Sequence, residues 1–287
     1  MERELWPRLY HLVMDAGASV RLSDVTYQPH IVVLVFLWAA LHDRPMCWAC
    51  DEKNWAATTL RPAMLPSEST LSRRLRRVDT AIFMRLVIQQ IRNSEEPRLV
   101  SVIDGKPLPI GGASQDPEAH CGHGAARLAK GYKLYAIYDS RPVPAAYRVH
   151  AMNVNEDKVA EEMVNDRPGT GYLLGDGEYD ANGVFDAAGE AGYQLLAPRE
   201  DPEAGLGHHY QSPYRLRCID MMRSSFGQDV FRLRGTIERE FGHLTSFGCG
   251  LSPLPSWIRH QNRVWLWVSA KILINAMRIM ARKGFAA

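Results

Sequence analysis

Three acidic residues stand where carboxylate chemistry would need them: Asp104, Asp176 and Glu238. Asp104 closes the run Arg98-Leu-Val-Ser-Val-Ile and Asp176 closes Tyr172-Leu-Leu-Gly, two short apolar stretches that read as strands. An acid at the C-terminal end of a strand projects from a rigid sheet edge into the crevice where ligands collect in α/β folds. Two such carboxylates repel one another unless a cation neutralises them, and hard oxygen donors suit Mg²⁺. Glu238 lies in Phe231-Arg-Leu-Arg-Gly-Thr-Ile-Glu-Arg-Glu-Phe-Gly-His-Leu244. On a helix Ile237, Phe241 and Leu244 form a buried stripe, and Arg234, four residues before Glu238, shares its face. Glu238, Gly242 and Thr245 line a second stripe whose small residues leave room for a metal and a DNA backbone. Glu240 turns about 200° away, towards solvent. The same spacing also fits an exposed Arg234–Glu238 helix salt bridge with no chemistry attached.

These acids need a sheet. Residues 98 onward supply one: Arg98–Asp104, Lys130–Asp139 and Val143–His150 read as an antiparallel meander, and Tyr172–Asp176 and Tyr193–Ala197 as further strands, with helices at Asn155–Asn165 and Asn182–Ala191 between them. From Phe231 the chain is helical again apart from a loop at Phe247–Ser256. The last stretch, Trp257–Lys283, is rich in Trp, Ile, Leu and Met, a pattern of core packing more than of base stacking. Residues 1–97 read as helical, punctuated at Asp43-Arg-Pro45 and Arg61-Pro62, and the texture changes at Glu95-Glu-Pro97. Within them, Ser67 or Ser69 can cap a helix whose apolar face is Leu71, Leu75 and Val78, leaving Ser69, Thr70, Arg73, Arg74 and Arg77 outward. Short hydroxyls followed by arginines suit a recognition helix, and an amphipathic surface helix would look the same.

The chain has 287 residues, 46% of them apolar and 23% charged, the composition of an ordinary globular protein of about two domains. Its formal charge of +2 conceals a segregation. Ser69–Arg92 holds six Arg against one acid, His150–Gly205 three basic residues against thirteen acidic, and Gly227 to the end nine basic against three acidic. Basic blocks flanking an acidic middle fit a nucleic-acid binder with a carboxylate-rich centre, or merely solvated helix faces. Five irregularly spaced Cys point to free thiols in a reducing compartment. Cys47-Trp-Ala-Cys50 has zinc-ligand spacing without a second pair, so packing is the better account. The longest apolar run, Ile31–Leu41, is shorter than the ~20 residues a membrane span needs, and a cytoplasmic location is expected.

Strand-Asp, strand-Asp and helix-Glu, in "VIDGKPLP", "LLGDGEYDANGVF" and "RGTIEREFGHL", together resemble the DDE transposases of bacterial insertion sequences. "KGYKLYAIYD" is similar to that family's second strand and "WIRHQNRVWLWVSAKILINAMR" to its helical end. The resemblance implies an α/β fold: a ribonuclease H-like mixed five-stranded sheet flanked by helices, preceded by an all-α, helix-turn-helix-like region. It implies domains at 1–97 (DNA binding) and 98–287 (catalysis), and Asp104, Asp176 and Glu238 as ligands of two Mg²⁺, with Mn²⁺ as substitute. Arg234 is then the family's Arg before the Glu. In one variant of the signature a Tyr stands where Phe231 is and a Lys where Thr245 is.

The partners implied are double-stranded DNA, as transposon ends and target, and further copies of the chain in a homodimer or higher multimer, with no membrane. When bound to DNA the protein would lie with the nucleoid. Ser69, Thr70, Arg73, Arg74, Arg77, Lys106, Lys130, Lys133 and Arg234 are the residues expected to meet DNA. Two other readings stay open: a transposase-derived DNA-binding regulator without catalysis, and a metal-dependent nuclease that cuts without joining.

Overall fold

The computed structural model describes residues 2–20, 25–93, 98–111, 114–124, 127–139, 141–246, 250–251 and 253–282. The texture change at 95–97, Cys249 and the expected helix end at Lys283 lie outside them. The chain divides into two compact units. One comprises Met1–Glu95, Ser114–Asp116 and His243–Ala287, the other Glu96–Ala113 and Pro117–Gly242. The C-terminal helix, placed by the sequence with the sheet, thus belongs to the unit of the N-terminal helices.

That helical unit holds α1 (Glu2–Ala18), α2 (Pro29–Leu41), α3 (Glu68–Arg74), α4 (Val78–Asn93) and the long C-terminal helix Gln261–Arg282. In α2 every residue from Val32 to Leu41 is buried, as an all-apolar helix requires. Around it Trp6 and Trp55 pack on Trp38, ring centroids 4.7 and 4.8 Å away. The C-terminal helix is long and apolar enough, by length and composition, to cross a membrane, a stretch the longest-run criterion overlooked. Of its apolar window 78% is buried inside the protein. Its Lys271 is buried as well: Nζ donates to the Ala40 carbonyl at the end of α2 and to Asp43, and lies 4.7 Å from the Trp267 ring centroid. A buried ammonium is tolerable only with such partners.

α3 is capped as the sequence predicts, Ser67 accepting from the Thr70 N–H. It ends sooner than expected, and two expectations change with it. Because a turn intervenes before α4 begins at Val78, Val78 loses phase with Leu71 and Leu75 and is 72% exposed. Arg74 points inward, 8% exposed, its Nη1 3.2 Å from Asp79, while its carbonyl accepts from Thr80. Arg74 therefore ties α3 to α4 and is not offered outward. Ser69 and Arg73 are exposed, Arg77 is exposed and paired with Asp79, and Thr70 is half-buried.

The second unit is the sheet. β1 (Val100–Pro109) pairs antiparallel with β3 (Leu128–Tyr138), whose other edge takes β4 (Ala146–Ala151) against Tyr132–Ile137 and β2 (His120–His123) against Leu128–Gly131. On the opposite side β1 pairs parallel with β5 (Gly171–Leu174), and β5 with β6 (Tyr193–Leu196). α5 (Glu156–Asn165) precedes β5 and α6 (Asn182–Glu190) links β5 to β6, as parallel strands require crossovers. Three antiparallel strands followed by two parallel ones form the ribonuclease H-like arrangement. β2 is a sixth strand, beyond the five read from the sequence. Gly122 permits it, since a Cβ there would lie 2.1 Å from the Met152 carbonyl oxygen. α7 (Pro213–Arg223), packed on α6 and β6, and α8 (Ser225–Arg232) follow, neither foreseen. A 3-10 turn (Leu233–Gly235) then leads to α9 (Thr236–Thr245); the C-terminal helix is α10.

Candidate active site

The parallel register between β1 and β5 brings the two aspartates together. Its last pair is Val102 with Leu174, and Asp104 and Asp176 each stand two residues further on. Neighbouring strands lie ~4.8 Å apart and residues two apart share a face, so both side chains leave the sheet side by side. The strand-end expectation holds for Asp176, just beyond β5. Asp104 instead lies inside β1, which continues to Pro109 because its antiparallel pairing with β3 persists after the parallel pairing stops.

Local bonds fix both carboxylates. Asp104 accepts from the Gly105 N–H at 2.7 Å, and Asp176 from the Glu178 N–H at 3.1 Å, capping a short turn at Gly177–Tyr179. Beneath it Gly175 lets the Tyr179 ring approach: a Cβ would fall 2.8 Å from that ring. Behind the turn Arg215 of α7 grips Asp180 with two parallel bonds, Nε at 2.7 Å and Nη2 at 2.6 Å. A bidentate guanidinium-carboxylate pair of this kind holds geometry as well as charge.

The negative charge of the pair is only partly relieved. Burial, above all, lifts the Asp104 carboxyl to about 6, with the Asp176 and Glu178 charges adding to it and the Gly105 N–H and Arg234 opposing. Asp176 is also raised, by burial and Glu178, against Arg234, the Glu178 N–H and Lys133. Among the described residues the cation ion-paired to both is Arg234. Its Nη2 lies 3.2 Å from Asp176 Oδ2 and 3.9 Å from Asp104 Oδ2.

The third acid, Glu238, is exposed in the first turn of α9. Ile237 and Phe241 of α9 are buried as foreseen, Phe241 edge-on to Tyr138 at 6.1 Å and 5.7 Å from Lys106 Nζ. Arg234, however, lies in the 3-10 turn before α9, so the helical phase expected to align it with Glu238 does not apply. Among the described residues its ion pairs are with the two aspartates, and Glu238 is exposed. Glu240, expected in solvent, is half-buried, and its charge acts on the buried Tyr138 phenol. Among the described residues no group of three or more His, Cys, Asp or Glu is placed to hold a metal ion.

Of the basic residues, Lys130 is exposed, Lys106 is half-buried beside Asp104, and Lys133 departs from expectation. Lys133 is 7% exposed and ion-paired to Glu156, so it faces into the protein. The acids missed in the sequence are Glu178 and Glu156. Glu178 is raised by burial and by a hydrogen bond to Glu156. Glu178 was visible two residues after Asp176; Glu156, at the start of α5, left no sequence signal linking it to the site.

A profile of the transposase DDE domain family matches residues 95–273, from before β1 into α10. The chain belongs to that family. Transposases of this family are nucleic-acid phosphoryl-transfer enzymes that generally use divalent metal. The match spans all three acids of the resemblance. Among solved structures the chain is similar to the cryo-EM structure of a piggyBac transposase synaptic complex with hairpin DNA. The TM-score is 0.46 at 12% identity, covering 99% of this chain and 74% of that one. No match was found among curated proteins.

The donor set suits the family's cofactor. Asp104 and Asp176 offer hard oxygens on adjacent strands, each pushed up by burial and by neighbouring acids, a cost that a divalent cation between them would offset.

Proposed function

We propose that this transposase binds transposon ends and carries out metal-dependent DNA cleavage and strand transfer, with Asp104 and Asp176 as the carboxylates that hold Mg²⁺ or Mn²⁺ and Glu238 completing the set. The observation that supports it is the equivalent placement of the two aspartates beyond one β1–β5 pair, with their charges only partly offset by Arg234. When bound, divalent ions stabilise the attacking and leaving oxygens of an in-line phosphoryl displacement. The chain's own part is placement. Gly105 and Glu178 N–H groups orient the carboxylates, the Arg215–Asp180 brace keeps the Asp176 turn in position, and Lys106 brings a half-buried ammonium to the Asp104 side. Arg73, Arg77 and Lys130 would hold the DNA backbone, with Ser69 and Thr70 at the start of α3 towards base edges. On this reading residues 1–97 are the DNA-holding part, the protein works as a multimer on paired ends, and its place is the bacterial cytoplasm.

The exposure of Glu238 favours a second reading, a DNA-binding descendant that regulates without catalysis. One experiment separates the two: a Mg²⁺-dependent cleavage and joining assay on transposon-end DNA with wild type, Asp104→Ala, Asp176→Ala and Glu238→Ala. Joined product from wild type, lost in all three variants, supports the transposase with its full triad. Retention of activity in Glu238→Ala removes that residue from the set. Binding without any cleavage supports the regulator, and cleavage without joined product supports a nuclease.

A further inference from the structure

Resting on the assignment of Asp104 and Asp176 as the cation-holding pair, we infer that Arg234 is its displaceable occupant. The guanidinium and a divalent cation compete for the same two carboxylates, and DNA relieves the competition by offering the guanidinium a phosphate.

The contacts are those of a loose hold. Both run through a single nitrogen, Nη2, at 3.2 Å from Asp176 Oδ2 and 3.9 Å from Asp104 Oδ2. The Nε is buried and makes no hydrogen bond. In the same unit Arg215 engages Asp180 through Nε and Nη2, at 2.7 and 2.6 Å. An arginine that grips with its fork is fixed, whereas one that touches two carboxylates with one nitrogen gives up little on leaving. Arg234 sits in the 3-10 turn between α8 and α9, beside Gly235, where an added Cβ would meet nothing within 4 Å.

Charge makes the occupancy exclusive. One guanidinium between two carboxylates leaves a net negative site that still attracts a cation. A divalent ion in the same place would instead put three positive charges within a few ångströms, and the guanidinium must move out. Its planar donors match a phosphate better than the single contact it has here. Since the two cations exclude each other, whatever draws Arg234 away raises the affinity for metal, and the coupling is reciprocal. Loading would then be strongest when DNA is present.

The test is Mn²⁺ binding to the full-length protein by titration calorimetry, with electron paramagnetic resonance of free Mn²⁺ as a second readout, on wild type, Arg234→Gln, Arg234→Lys and Asp176→Asn. Circular dichroism checks that each variant is folded. Without DNA, Arg234→Gln should bind Mn²⁺ about three- to tenfold more tightly than wild type, with Arg234→Lys, which keeps the charge, close to wild type. A short duplex should tighten binding by wild type and leave Arg234→Gln nearly unchanged, after subtraction of the duplex's own Mn²⁺ uptake measured with Asp176→Asn. Equal or weaker binding by Arg234→Gln would overturn the competition and make Arg234 a positioning residue. If Arg234→Gln is unfolded, Arg234→Lys decides: wild-type tightening on DNA that persists unaltered in a variant without a planar fork overturns the hand-over to phosphate. If wild type binds no Mn²⁺ that Asp176→Asn abolishes, the metal assignment itself fails, and the competition with it.

Discussion

Each unit buries charge, and the two do so differently. In the helical unit the Lys271 ammonium is met by the Ala40 carbonyl, the Asp43 carboxylate and the face of Trp267. In the sheet unit Asp104 and Asp176 share one nitrogen of Arg234, and Asp104 is pushed up to about 6. The fully buried Lys271 thus has a finished interaction, and the half-buried aspartates an unfinished one. A satisfied buried charge is a structural part, and an unsatisfied pair stores an electrostatic cost that a ligand can remove.

The largest effect should come from completing or abolishing the unfinished pair. Asp104→Ala and Asp176→Ala are each expected to lower DNA cleavage by roughly a thousandfold or more, the loss of several kcal/mol of charge stabilisation, measured as single-turnover rates. Binding of end DNA at low salt should change little. If activity survives within tenfold, the pair is not the reactive centre.

Next is the finished pair. Lys271→Ala should destabilise the helical unit by about 3 kcal/mol, through an uncapped α2 terminus and a cavity, while Lys271→Met should recover much of the loss by filling the volume. Urea unfolding of both variants measures this. An Asp43 left without its ammonium is partly solvated, which limits the damage.

Smaller, and opposite in sign, is Asp104→Asn. The folded pKa of Asp104 is about 6 against an ordinary 3.8, so between these values the folded state binds more protons than the unfolded and stability falls as pH rises. The penalty is complete above about pH 6. Asp104→Asn should therefore stabilise the metal-free protein at pH 7.5 by roughly 1–3 kcal/mol, and the gain should vanish below pH 4. Thermal melts of both proteins across that range check it; a gain independent of pH would assign the effect to packing.

The smallest effects divide the arginines of α3 in the same way. Arg73→Ala should weaken DNA binding a few-fold and reduce the salt slope by about one, without altering stability. Arg74→Ala should instead lower stability by about 1–2 kcal/mol, because its pairing with Asp79 is largely buried. Fluorescence anisotropy against salt, beside thermal melts, tells them apart.

Legibility followed how local the cause was. Strand runs, the Ser67 cap and the Ile237–Phe241 stripe depend on neighbours within a few residues, and all appear near their expected places. The partners of charged residues were not legible. Lys133 finds Glu156, 23 residues away, and Arg74 turns inward to Asp79, the one acid in its basic block. Glu238 was expected to stand with Arg234 on one continuous helix, and a 3-10 turn removed that phase relation.

By itself the sequence determined the family signature and the order of elements apart from β2, α7 and α8, because side-chain periodicity and motif spacing are written along the chain. Only tertiary structure decided that Asp104 and Asp176 leave the sheet side by side, that Arg234 is the cation between them, and that the C-terminal helix packs with the N-terminal ones. Those outcomes depend on strand register and on the need of each buried charge for a partner, and such a partner is brought near by the fold, from 58 residues away for Arg234 and Asp176.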